Sequence, residues 1–122
     1  MNKLIALQLV YLAVGMGCNA VSFFLIRRGR QPLAPTRLGL ATVLFGIYAA
    51  GLGIGAAGND VIYRLIMAIF VVIGAWMGIA SHILRGYSPN GYFSRGSWCL
   101  AIGVNLFGLV LNVIGVIYPP HA

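Results

Sequence analysis

Apolar residues along the chain fall into four long runs, roughly 4–26, 38–57, 61–84 and 98–118, separated by three short polar or turn-rich connections. Each run reaches or approaches the roughly 20 residues that carry a helix across about 30 Å of hydrocarbon. The few polar and small residues inside the runs recur at helical spacing. In the first run they are Gln8, Gly15, Asn19 and Ser22. The second has Gly39, Gly46 and Gly53 seven apart, with Thr42, Ala49 and Ala56 three residues after each. The third has Gly74, Gly78 and His82 with Ala75 and Ser81 beside them, and the fourth repeats Asn105, Gly108, Asn112 and Gly115. Residues three, four and seven apart share a helix face, so each helix carries a stripe suited to contact with protein. The pattern predicts an all-α integral membrane protein: four transmembrane helices in one up-down bundle over residues 1–122, crossing at about 20°.

The connections read as stops and starts. In "RRGRQPLAPT", Gly29, Pro32 and Pro35 end the first helix, and Thr36 is placed to cap the second. "GLGIGAAGND" carries Gly51 and Gly55, a weakly helical stretch that needs support from its neighbours. Asn59 or Asp60 then caps the third helix, and Asp60 is spaced to meet Arg64 four residues on. In "RGYSPNGYFSRGSW", Pro89, Asn90 and Gly91 form a turn, and Tyr87, Tyr92, Phe93 and Trp98 suit the headgroup level. Tyr118, Pro119 and Pro120 end the last helix, leaving His121 in a fraying tail.

Composition sharpens the membrane reading. The chain is 61% hydrophobic and 7% charged, which excludes a water-soluble domain. Eight Lys and Arg stand against one acidic residue, and they gather at helix ends. Arg27, Arg28, Arg30 and Arg37 flank the first connection and Arg85 and Arg95 the third, while Lys3 and Arg64 mark the other side. The positive-inside rule then puts both termini outside, in what reads as a bacterial cytoplasmic membrane. The basic inner rim is expected to attract anionic lipid headgroups, and nucleic acid is not an expected partner. The opening "MNKLIALQLVYLAVGMGCNA" has a signal-like shape, but the chain continues apolar through "NAVSFFLIRR", which makes the segment a retained helix.

Reactive chemistry is thinly supplied. Two His, two Cys and one Asp offer no evident nucleophile with a base, carboxylate pair or metal cage, so neither an enzyme nor a bound cofactor is expected. His82 is the one histidine inside a run and the sole candidate ligand for a cofactor; with Cys99 it falls near the inner interface. Cys18 and Cys99 lie at different depths, which argues against a bridge. The absence of a carboxylate within the runs disfavours proton-coupled cation export. An anionic or uncharged solute fits better, with Asn19, Asn105 and Asn112 as donors beside Phe23, Phe24 and Phe107. In size and helix count the chain is similar to the dimeric fluoride channels; their motifs are absent, and no site residues are carried over from them.

The amides also suit packing. In antiparallel first and fourth helices, Gln8 falls level with Asn112, Leu12 with Gly108 and Gly15 with Asn105, with Asn19 one turn from Asn105. Each interhelical bond would contribute about 0.6 to 2 kcal/mol. The leading expectation is therefore a small non-catalytic subunit that gives assembly, stability or lipid contact to a larger membrane complex or to copies of itself. A small dimeric channel or transporter for an anionic or uncharged solute is the alternative.

Overall fold

The computed structural model describes residues 2–35 and 37–121, and among them the only regular structure is helical. The helices are α1 (Lys3–Arg27), α2 (Leu38–Ala56), α3 (Asp60–Arg85) and α4 (Arg95–Ile117), each long and apolar enough to cross a membrane. Their starts follow from capping, which supplies acceptors for first-turn N–H groups. Asn2 accepts from Leu4 N at 2.8 Å and Asn59 from Ile62 N at 3.1 Å. Ser94 and Ser97 bond reciprocally at 3.0 Å, which starts α4 at Arg95, nearly a turn before the expected Trp98. The expected cap Thr36 lies outside the described residues; Arg37, just before α2, gives no side-chain cap.

Each helix packs on its neighbours in sequence, α4 closes the ring against α1, and no diagonal pair meets among the described residues. This is an up-down arrangement with a terminal end, where Asn2 Nδ2 donates to Pro120 O at 3.1 Å, and an arginine end holding the first and third connections. At the terminal end the expected Asp60–Arg64 pair does not form. Arg64 instead donates to Ile117 O at 3.2 Å and Asp60 accepts from His121 N at 3.3 Å. The last carbonyls of α4 and the tail amide lack helical partners and take these side chains. His121 is thus seated rather than frayed, its ring nitrogen 3.0 Å from Gly55 O.

The core is Leu12, Tyr48, Leu52, Tyr63 and Met67, with Tyr11, Phe45, Ile66, Phe70 and Val116 against it. Glycines here are seats for side chains rather than points of close backbone contact. Gly15 receives Phe45, Gly108 receives Tyr11, and Tyr63 lies between Gly55 and Gly115. A Cβ at Gly51 would stand 2.8 Å from Ile66 Cγ2, so that position is equally filled.

The seven-residue stripe of α2 is placed differently from its expected role within the bundle. Gly39, Thr42, Gly46, Ala49, Gly53 and Ala56 are all exposed, and nothing stands within 4 Å of a Cβ built at Gly46 or Gly53. The face turned inward is Tyr48, Gly51, Leu52 and Gly55. The physical reason is Tyr48: its hydroxyl needs a partner away from water, and the partner lies on the bundle axis.

Candidate functional site: a chamber at the arginine end

Toward the terminal end the four helices are tied by side chains that bond across the bundle. Asn112 Oδ1 accepts from the Tyr48 hydroxyl at 2.7 Å and from Gln8 Nε2 at 3.3 Å. Gln8 Oε1 accepts from the Tyr63 hydroxyl at 2.8 Å, and Gln8 Nε2 also lies 3.2 Å from Met67 Sδ. One side chain from every helix takes part, and Gln8, Tyr48 and Tyr63 are wholly buried. No buried side-chain nitrogen or oxygen among the described residues lacks a partner. A satisfied network of this kind fixes helix register and leaves no room for water.

Toward the arginine end the helices enclose a chamber of about 460 Å³, within the range of small-molecule sites. Asn112, Tyr11, Phe45, Phe70 and Leu109 form its closed end, against the network. Asn105, Asn19, Ser22, Ser81 and His82 contribute polar groups to its wall, with Arg37 and Arg85 at its far end. Asn112 binds the network through its carbonyl oxygen, so its NH2 is left to the chamber it lines. Asn105 donates to Ala101 O at 2.7 Å and Ser81 to Met77 O, each bonding its own helix one turn back. Asn19 has no hydrogen-bond partner among the described residues.

The chamber exists because α2 and α3 part company. α2 packs on the Asp60–Ile73 part of α3 but not on Gly74–Arg85, which stays with α4. At this divergence α3 becomes π-helical over Gly74–Ala80, a widened turn that resets the direction of its side chains. Gly78 lets Asn105 lie against α3, since a Cβ there would stand 2.7 Å from Asn105 Cγ, whereas nothing lies within 4 Å of one at Gly74. The gap is bordered by Leu40, Ala41 and Leu44 on α2 and by Ile73, Gly74 and Met77 on α3.

The two connections at this end are joined. Phe93 N donates to Pro32 O at 2.7 Å, and Leu33 N donates to Ser22 Oγ at 3.1 Å. Tyr92 is buried, and its hydroxyl lies 2.6 Å from His82 Nδ1. Burial raises the Tyr92 phenol above its usual pKa, with Arg85 opposing, so it remains protonated. Trp98 Nε1 donates to His82 O at 3.1 Å. These bonds hold Leu33, Ala34 and Pro35 against the chamber.

The structure therefore joins Gln8 to Asn112 as the equal-depth pairing anticipates, but seats Tyr11 on Gly108, Phe45 on Gly15 and Asn105 beside Gly78. Asn105 is thus a partner of α3 rather than of α1. Phe23, Phe24 and Phe107 point outward, and the aromatic wall comes from Tyr11, Phe45 and Phe70. His82 is held by Tyr92, Cys99 is exposed, and both cysteines are free. Among the described residues no three His, Cys, Asp or Glu side chains gather as a metal cage would require. Arg27 lies over Phe23 at 5.6 Å and Arg95 over Tyr87 at 5.2 Å, while Arg28 and Arg30 are exposed on the first connection. Sequence reasoning missed Tyr48 and Tyr63. Both are tyrosines in the middle of apolar runs, where a hydroxyl must find a partner, and that signal was legible. Comparison of the chain with family models, curated proteins and solved structures finds no match.

Proposed function

We propose that this is an integral membrane protein that takes a small anionic or uncharged molecule into the chamber as one step of its passage across the bilayer. The observation that carries the reading is the asymmetry: about 460 Å³ of partly polar space stops against a fully bonded, wholly buried network. A site reached from one side and closed on the other is one half of an alternating-access cycle. By the arginine bias the chamber faces the cytoplasm and the termini face outward, as in a bacterial inner membrane. The chain supplies hydrogen bonds and shape rather than a reaction.

Swelling of liposomes in a panel of small polyols and organic anions tests this. At least one solute should enter faster with the protein present, and Asn105→Leu, which removes an amide from the wall, should suppress it. A folded protein that admits none would overturn the reading.

A second reading rests on a different observation. The exposed stripe of α2 suits close packing against another membrane chain or a second copy. This is the assembly role that the sequence favours, and it is compatible with a chamber in each copy.

A further inference from the structure

The chamber is open sideways as well as toward the arginine end. Where α2 and the Gly74–Arg85 part of α3 separate, the wall between them is missing, and apolar side chains border the gap on both sides. Of the eight Lys and Arg, the two that line the chamber are Arg37, at the start of α2, and Arg85, at the end of α3. They stand on the two helices that flank the gap, at the depth where its apolar border ends. Both are exposed, and neither guanidinium has a hydrogen-bond or ion-pair partner among the described residues. Arg27, Arg95 and Arg64, by contrast, are engaged by Phe23, Tyr87 and Ile117 O.

We infer that the occupant is a membrane amphiphile with an anionic phosphate headgroup, entering from the inner leaflet through the gap between α2 and α3. This rests on the membrane placement and on the chamber being the working part of the protein. The headgroup lies between Arg37 and Arg85, which give paired, charge-assisted contacts to phosphate oxygens. The apolar part adjoining it lies along Leu40, Leu44, Ile73 and Met77, and the rest of the tail remains in the bilayer. A freely soluble anion would gain the same arginines but leave the apolar border of the gap unused, which is why the lipid is the better fit. Deeper in, the NH2 of Asn112 and the unpaired Asn19 are donors for a polar group that moves inward.

The test uses the purified chain in bilayer nanodiscs with a trace of spin-labelled phosphatidylglycerol or phosphatidylcholine, reading the immobilised fraction by electron spin resonance. The wild type should hold the anionic lipid preferentially. R37Q/R85Q should reduce that preference by about thirtyfold, from roughly 1 kcal/mol for each arginine near the surface. R28Q/R30Q loses the same charge outside the chamber and should keep the preference. Gly74→Leu should fill the gap and remove the immobilised lipid of either headgroup at unchanged helix content. Equal losses in the two double variants would reduce the effect to general surface attraction and overturn the inference. So would displacement of the labelled lipid by soluble glycerol phosphate, which would make the ligand a water-borne anion. Solute entry into liposomes without immobilised lipid would sink this inference alone, and immobilised lipid without solute entry would sink the passage reading alone.

Discussion

In the terminal half Gln8, Tyr48, Tyr63 and Asn112 satisfy one another across all four helices, whereas in the arginine half Asn105 and Ser81 bond the backbone of their own helices and Asn19 bonds nothing described. Both halves hold amides, hydroxyls and glycines in apolar surroundings. What separates them is the direction of the hydrogen bonds. A bond to another helix draws two helices together and excludes water; a bond to one's own carbonyl one turn back satisfies the side chain and leaves the neighbour free to move away. The glycines divide the same way. Gly55, Gly108 and Gly115 are filled by tyrosine rings, while Gly74 faces open space in the chamber wall.

The contrast is broken most forcefully at the glycines. Gly115→Leu pushes into Tyr63 and should cost about 3 kcal/mol, the upper range for overpacking, in denaturant unfolding of the micelle-bound protein. Gly74→Leu has room and should stay within about 0.5 kcal/mol of wild type. Next come the amides. Gln8→Leu strands the Tyr63 hydroxyl and should cost about 2 kcal/mol, whereas Asn105→Leu, bonded only to its own helix, should cost less than about 0.5 kcal/mol. If the two amides cost the same, direction of bonding is not what separates the halves. Tyr48→Phe, which removes one bond to Asn112 without changing shape, should cost about 1 kcal/mol. The smallest expected effect on the monomer is at Gly46→Leu, on the exposed stripe of α2; a large loss of stability there would mean that this face is not free within the chain.

Four spans, their turns and the pairing of Gln8 with Asn112 were legible in the sequence because each depends on local spacing or on the near-constant sum that antiparallel neighbours impose. The chamber was not. It depends on the rotation of α2 about its axis, and the sequence offers two rival faces there: the regular small stripe and the irregular set of Tyr48, Gly51, Leu52 and Gly55. Regular spacing points to the first, and a single buried hydroxyl decides for the second. The π-helical segment of α3 also has no periodic signature, since it shifts the frame midway along an otherwise uniform apolar run. The Asp60–Arg64 spacing misled because helix and tail ends compete for the same side chains.

The central claim is that the arginine half is open inside and the terminal half is sealed. It is tested most directly by thiol reactivity in bilayers, in a background with Cys18 and Cys99 replaced by serine. A cysteine at Ala101, in the chamber wall, and one at Leu52, in the sealed core, would each be treated with a small methanethiosulfonate. The account predicts rapid modification at Ala101, slowed by Gly74→Leu, and none at Leu52 while the protein stays folded. Equal reactivity at the two positions, or protection of both, would contradict it.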